Sequence, residues 1–250
     1  MTYALQTRNL VKKFGGFVAT DDVTLKVAAG SRHALIGPNG AGKTTLINLL
    51  TGFLVPTSGQ VFLADDEVTG LSQHKRVKQG LARTFQINRL FAEMTPLESV
   101  TLAVCERRGL GGRWWKPASA HAEAVNEAAE LLARLRLTEV ANEQVRNLAY
   151  GRQRLIEIAL ALAAQPRVLL LDEPAAGVPT KESRELFETI AQLPREVTIV
   201  LIEHDMDLVF RFADRISVLV SGAVLTEDAP DAIAKDRRVR QLYLGEAGHG

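Results

Sequence analysis

Gly37-Pro38-Asn39-Gly40-Ala41-Gly42-Lys43-Thr44-Thr45 spaces glycines, a lysine and two hydroxyls in the pattern that wraps a polyphosphate. The glycines let backbone N–H groups close around an anion. Lys43 suits the β- and γ-phosphates, the Thr44 hydroxyl suits Mg²⁺, and Thr45 suits the α-phosphate. A plain glycine turn would not require Lys43 and Thr44 together. A second run, Val168-Leu169-Leu170-Leu171-Asp172-Glu173-Pro174, ends an apolar strand on two adjacent acids. Burying such acids is costly unless they meet a cation or a reactive water; the bland alternative is an acidic helix cap. Asp172 suits Mg²⁺ through its water shell, and Glu173 can polarise a water that attacks the γ-phosphate. A third run, Leu148-Ala149-Tyr150-Gly151-Arg152, is a turn opening a helix, an anion-binding arrangement that is weak by itself.

Elements must aim these groups. His33-Ala34-Leu35-Ile36 reads as a strand before the glycine loop, and Leu46 to Leu50 as a helix after it, stopped by Gly52. The first thirty or so residues are β-rich: Thr24-Leu25-Lys26-Val27 alternates, with turns at Gly15-Gly16 and Gly30. Gln60 to Leu63 is another strand, entered through Pro56-Thr57-Ser58-Gly59. From about Pro96 to Ala164 the pattern is helical. Ala120 to Leu135 puts Val125, Ala128, Leu132 and Leu135 on one face, and a later helix runs from Leu155 to Ala164. Buried strands follow at Val168–Leu171, Val197–Ile202 and Ile216–Val220, the first two separated by a helix over Lys181–Leu193. Strands alternating with helices predict a largely parallel sheet. Ser221-Gly222 predicts a turn to Ala223-Val224-Leu225, an antiparallel hairpin at the sheet edge. The one loose segment is Gly109 to Pro117.

A chain of 250 residues suits one large domain, or a core with a modest subdomain. The net charge of +1 gives no electrostatic case for nucleic acid as a partner. The single Cys105 excludes an internal disulfide and fits a reducing compartment. Residues Met1 to Arg8 lack a signal-peptide core, and no apolar run reaches the ~18 residues of a spanning helix, so a membrane role must come through a partner. His33, His74, His121 and His249 have no metal-ligand spacing and read as structural or solvated.

The motifs, taken in order, resemble the ATP-binding-cassette (ABC) ATPases over almost the whole chain. They are Phe14 in Lys12-Lys13-Phe14-Gly15, the loop Gly37 to Thr45, Gln86 in Arg83-Thr84-Phe85-Gln86, the signature Leu148 to Arg152, Asp172-Glu173, and His204 in Ile202-Glu203-His204-Asp205. Leu148-Ala149-Tyr150-Gly151, Ile202 to Met206 and Tyr243-Leu244-Gly245-Glu246 look more narrowly like branched-chain amino acid importer ATPases. The resemblance implies an α/β fold: a P-loop NTPase core with a mainly parallel sheet, an N-terminal antiparallel β-subdomain and an inserted helical subdomain. Residues 1–250 then form a single domain, with 1–86 and 165–250 as core and 87–164 as the helical part carrying the signature. ATP and Mg²⁺ are implied. Phe14 would stack on adenine, and Gln86 would join core to helical part with its carbonyl reaching Mg²⁺ or the attacking water. His204 would contact the γ-phosphate and hold Glu173 and water in place. The implied partners are a second ATPase subunit (a heterodimer, with a homodimer as the alternative) and two transmembrane permease subunits docking around Arg89 to Val100. A substrate-binding protein would act indirectly, and the chain would sit peripherally on the cytoplasmic face of the plasma membrane. A lipid or lipopolysaccharide exporter ATPase and a soluble non-transport cassette protein are the rival readings. The Trp114-Trp115 pair reads as packing within the helical part, against a membrane-surface alternative.

Some residues depart from the family pattern. Signatures usually read Leu-Ser-Gly-Gly-Gln, and here Ala149, Tyr150 and Arg152 replace Ser, the first Gly and Gln. Losing the serine hydroxyl removes a phosphate donor worth ~1.5–3 kcal/mol, which an arginine could replace with a charged one. Pro179 stands where an Asp or Asn usually bridges two subunits, and proline has neither that side chain nor an N–H. In this family each phosphate loop faces the other subunit's signature. The departures therefore predict two unequal sites.

Overall fold

The computed structural model describes residues 2–84, 90–110 and 121–244. Gln86, Arg89, Trp114, Trp115, Gly245 and Glu246 lie outside the described residues, so the roles expected of them rest on sequence. The chain begins with β1 (Tyr3–Phe14), β2 (Phe17–Val23) and β3 (Lys26–Ala28), then β4 (Arg32–Ile36) and α1 (Lys43–Leu50), then β5 (Ser58–Leu63) and β6 (Asp66–Glu67). β1, β2, β3, β5 and β6 make an antiparallel sheet, in which β1 pairs with β2, β3 and β5. Thr24 and Leu25, expected in a strand, precede β3. The Thr7 hydroxyl receives the Leu25 N–H at 2.9 Å and donates to the Val23 carbonyl at 2.8 Å, while the Thr7 N–H keeps a backbone bond to the Leu25 carbonyl at 2.9 Å.

After α2 (Gln73–Lys78) and β7 (Leu81–Arg83) come α3 (Pro96–Arg107), α4 (Ala122–Arg134) and α5 (Tyr150–Ala163). α3 starts on a capping box, Thr95 with Glu98, and on Pro96. α4 buries Ala124, Ala128 and Leu132, and Leu135 just beyond it. Val125, expected on that face, is only half-buried because the stripe runs through its neighbour Ala124. α5 begins at Tyr150 rather than near Leu155, so Tyr150, Gly151 and Arg152 themselves form its first turn. The remaining elements are β8 (Val168–Asp172), α6 (Thr180–Ala191), β9 (Thr198–Ile202), α7 (Met206–Phe212), β10 (Arg215–Val220), β11 (Ala223–Asp228), α8 (Pro230–Lys235) and α9 (Arg237–Leu244).

The second sheet has the order β11-β10-β4-β9-β8-β7, parallel from β10 to β7 and antiparallel only at the β10–β11 hairpin. Ser221 (φ 48°) and Gly222 (φ 84°) supply the two positive-φ residues of the tight hairpin turn. β4, β8 and β9 are buried at every position, as strands covered on both faces must be. Alternation then sorts their side chains. Val168, Leu170, Val200 and Ile202 pack with Leu46, Ile47, Leu49 and Leu50 of α1 and with the antiparallel sheet. Leu169, Leu171, Ile199 and Leu201 pack with the helices on the opposite face. Each such side chain contributes about 1.5–3 kcal/mol on burial. The C-terminal carbonyls of α1 find a buried partner in Arg76, whose Nη1 donates to Leu49 and Leu50 at 2.7 Å each. Burial holds that guanidinium at about 10, well below its ordinary pKa. Among the described residues no helix is long and apolar enough to cross a membrane.

His33 makes the fold sensitive to acid. It is 1 % exposed, and its Nε2 lies 2.8 Å from Ser217 Oγ, whose hydroxyl donates to Glu227 at 2.8 Å. Burial pushes the imidazole pKa from 6.5 down to about 4, with Glu227 opposing the shift. The folded value lies below the unfolded one, so the unfolded chain takes up the proton first as pH falls through this window. Stability from this group is complete above pH 6.5 and is lost toward pH 4, by roughly 3 kcal/mol. The buried carboxyl of Glu203, raised by desolvation, works in the opposite sense, so a paired comparison is needed. Urea midpoints measured from pH 7 to pH 4 are expected to fall less in His33→Gln than in the unaltered protein.

Candidate functional site

β4 delivers the glycine loop and α1 leaves it. Gly37 (φ 155°) must be glycine, because a Cβ there would come within 2.2 Å of the Leu219 carbonyl oxygen. At Gly42 (φ 97°) a Cβ would lie 2.5 Å from the Ala19 carbonyl oxygen, so the β1–β2 hairpin closes over the loop. α1 has neither a side-chain cap nor an acid in its first turn, which leaves the positive end of its dipole free to act on an anion. Lys43 Nζ donates to the Gly37 carbonyl at 2.5 Å and the Pro38 carbonyl at 3.0 Å, folded onto the loop it would share with phosphate. Pro38, Asn39, Gly40 and Ala41 complete the turn, with the Ala41 N–H on the Pro38 carbonyl at 3.1 Å.

The parallel registers carry the acids to the same edge. Leu35 pairs with Ile202, and Ile202 pairs with Asp172, so the loop after β4, Glu203-His204 after β9, and Glu173 after β8 emerge side by side. Asp172 shares the face of Val168 and Leu170, the face against which α1 lies. Its Oδ2 accepts from Arg83 Nη2 at 2.6 Å, and Arg83 Nη1 donates to Asn48 Oδ1 on α1 at 2.8 Å. Arg83 and Asn48 thus join the predicted site. Glu173 adopts a left-handed φ of 48°, unusual for a residue with a side chain, with its N–H on the Ile202 carbonyl at 2.9 Å. Among the described residues no cluster of three His, Cys, Asp or Glu could hold a metal. The chain offers the Thr44 hydroxyl and Asp172, and a magnesium ion at a phosphate site takes few protein ligands and completes its shell from phosphate and water. The donor set fits that ion.

His204 follows β9 with its side chain 68 % exposed, Nδ1 lying 3.7 Å from Glu203 Oε2. Glu203 itself is 1 % exposed. Burial raises its carboxyl pKa, and the N–H groups of Ala175, His204 and Asp205 hold back that rise. Asp205 caps α7, its Oδ1 accepting from the N–H groups of Asp207 at 3.0 Å and Leu208 at 3.2 Å.

The signature turn faces a different neighbourhood. The Gly151 N–H donates to Glu182 Oε2 at 3.0 Å, and Tyr150 lies against Gly177. Arg154 stacks over the Tyr150 ring at 4.9 Å and pairs with Glu157 at 2.8 Å. Leu148 is buried, Ala149 stands at the N-cap position of α5 without a side-chain hydrogen bond, and Arg152 is exposed on its first turn. Tyr150 and Gly151 therefore pack on the segment beyond the acids, while Gly37 and Gly42 lie against Leu219, Ala19 and Gly222. Phe14, 48 % exposed, ends β1 opposite Phe17, which is 65 % exposed and which no sequence motif singles out. Lys12 Nζ sits 5.1 Å from the Phe14 ring centre, and the hairpin these residues tip is the one that closes on Gly42.

A family model described as ABC transporter matches residues 20–176. The high-affinity branched-chain amino acid transport ATP-binding protein LivG of Escherichia coli (strain K12) is 45 % identical over 97 % of this chain and 98 % of its own length. Among solved structures, the ADP conformation of an ATP-binding cassette of an ABC transporter superposes with a TM-score of 0.86 at 32 % identity, covering 98 % of this chain and 99 % of that one. A dimeric post-hydrolysis cassette bound to ADP and Pi gives 0.74 at 26 % identity, over 90 % of this chain and 98 % of the other.

Proposed function

Because this chain belongs to the ABC transporter family, we propose that it is the ATP-hydrolysing subunit of an importer of branched-chain or similar hydrophobic amino acids. The observation that carries the reading is the common sheet edge. Three adjacent parallel strands set the phosphate loop, Asp172-Glu173 and His204 side by side. The substrate class rests on the near full-length similarity to a branched-chain amino acid transport protein.

Loop N–H groups, Lys43 and Thr45 bind the phosphates, and Phe14 stacks on the base. Thr44 and Asp172 would hold Mg²⁺, which supplies charge neutralisation at the phosphates. Glu173 takes the proton of the attacking water, and His204 contacts the γ-phosphate. Gln86 links the core to the helical part, residues 87–164. Phe91, exposed just after it, lies within the expected docking surface for two permease subunits, which would hold the chain at the cytoplasmic face of the membrane.

Leu148, Ala149, Tyr150, Gly151 and Arg152 act on the ATP of a second subunit, in keeping with Tyr150 lying against Gly177 and the Gly151 N–H on Glu182. We read that subunit as a related but different ATPase. Ala149 and Pro179 weaken this chain's contribution to the shared interface, and Arg152 is placed to offset part of the loss. Loss of a donor to charged phosphate corresponds to about ten- to hundredfold. Removing the Glu173-type acid from one subunit at a time in the purified heterodimer is expected to leave residual turnovers that differ by about tenfold or more. Equal residual rates would count against unequal sites. Identification of the membrane proteins that co-purify tests import itself, since an exporter permease among them would overturn the transport direction.

A further inference from the structure

Glu203 continues the face of β9 on which Ile199 and Leu201 meet the helices, so alternation sends a carboxylate where the strand has been sending apolar groups. It is 1 % exposed and makes no salt bridge to an Arg or Lys among the described residues. Backbone N–H groups from two loops stabilise it instead. Oε1 accepts from Ala175 at 3.0 Å, two residues beyond Glu173, and Oε2 accepts from His204 at 3.1 Å. The same Oε2 lies 3.7 Å from Nδ1 of the His204 ring. A carboxylate is costly to bury, and an amide or an apolar side chain would fill the space without that penalty. What the carboxylate alone provides is two acceptor oxygens, one for each loop.

We propose that Glu203 is the positioning residue that ties the loop following Glu173 to His204, so that the two catalytic loops reach their hydrolytic arrangement together. This rests on the reading that Glu173 and His204 act on ATP. With Glu203 ionised, the Ala175 loop cannot shift without releasing an N–H from a buried charge, and the same holds for His204. Nδ1 lies 3.7 Å from the carboxylate, close enough for its charge to favour a proton on that nitrogen once the loops tighten.

Glu203→Gln replaces one acceptor oxygen by an NH₂ that faces an N–H donor. It is expected to lower kcat about tenfold or more, with KM for ATP within about twofold. The His204 ring resonances in histidine-labelled protein are expected to move. Glu203→Asp keeps the charge but is one methylene too short to span both loops, and it is expected to lower kcat in the same way. Unchanged kcat together with an unmoved His204 ring would overturn the proposal. Glu173→Gln measured alongside separates the two readings: if it retains turnover, the hydrolytic reading fails; if it is inactive while both Glu203 variants are normal, only this proposal fails. Should either variant unfold, amide exchange in the unaltered protein decides. Ala175 and His204 are then expected to share one protection factor, and values differing by more than about tenfold would refute the coupling.

Discussion

Glu173→Gln is expected to lower ATP turnover by about 10²–10⁴-fold, the range a positioned general base contributes, while ATP binding stays within about threefold of the unaltered protein. The substitution keeps side-chain length and the ability to accept a hydrogen bond, but an amide cannot take the proton of the attacking water. It also leaves the backbone alone, which matters because Glu173 sits at a left-handed φ of 48° with its N–H on the Ile202 carbonyl. A residue held in that region costs about 1–3 kcal/mol, a strain the flanking strands β8 and β9 must impose. Glutamine tolerates the region no worse than glutamate, so the melting temperature is expected to stay the same. Phosphate release and nucleotide binding measured on the same preparation check both halves. A variant hydrolysing ATP at the rate of the unaltered protein would sink Glu173 as the base, and loss of binding alongside turnover would show that it acts structurally.

The sequence made the chemistry legible where that chemistry is local. Gly37 to Thr45 is a contiguous run whose glycines and lysine have one common use. Asp172-Glu173 follows a run too apolar to be anything but a buried strand, and such strands carry their own direction and their own ends. Long-range pairing was not legible. Arg83 reaches Asp172 across 89 residues and Asn48 across 35, and neither spacing leaves a trace in local pattern. The buried arginines 32 and 76 look like surface residues by type, yet each ends on backbone carbonyls. Glu203 did leave a signal. Ile199, Leu201 and Glu203 share one side of a strand whose other side holds Val200 and Ile202, so an acid stands at a core-facing position. The start of α5 was missed because Ala149, Tyr150 and Gly151 read as a turn by composition. In the structure Glu182 accepts the Gly151 N–H and stabilises that helix end from another element.

Lys43→Ala is expected to weaken nucleotide binding by about a hundredfold or more, the equivalent of losing two charge-assisted hydrogen bonds at ~1.5–3 kcal/mol each. The loop shows why the loss is specific to the ligand. Without phosphate, Nζ donates to the Gly37 carbonyl at 2.5 Å and the Pro38 carbonyl at 3.0 Å. Both carbonyls belong to the loop itself, so the ammonium stays at the mouth of the site. Phosphate oxygens compete for the same ammonium, and they win because a charged acceptor outweighs neutral carbonyls. In the alanine variant the two carbonyls lose this partner, and because Gly37 is buried and Pro38 half-buried the empty protein is expected to lose about 1–3 kcal/mol. Thermal melting separates the effects. A ligand at a hundred times its dissociation constant adds about 2.7 kcal/mol to the stability of the unaltered protein. At that same concentration the variant is expected to gain less than about 0.5 kcal/mol, since the ligand is then near its dissociation constant. Arginine is not expected to restore the gain, because its planar fork is not the compact point charge that an ammonium presents to the β- and γ-phosphates. A Lys43→Ala protein that still melts higher with ATP, by the margin of the unaltered chain, would remove this loop from the binding site altogether.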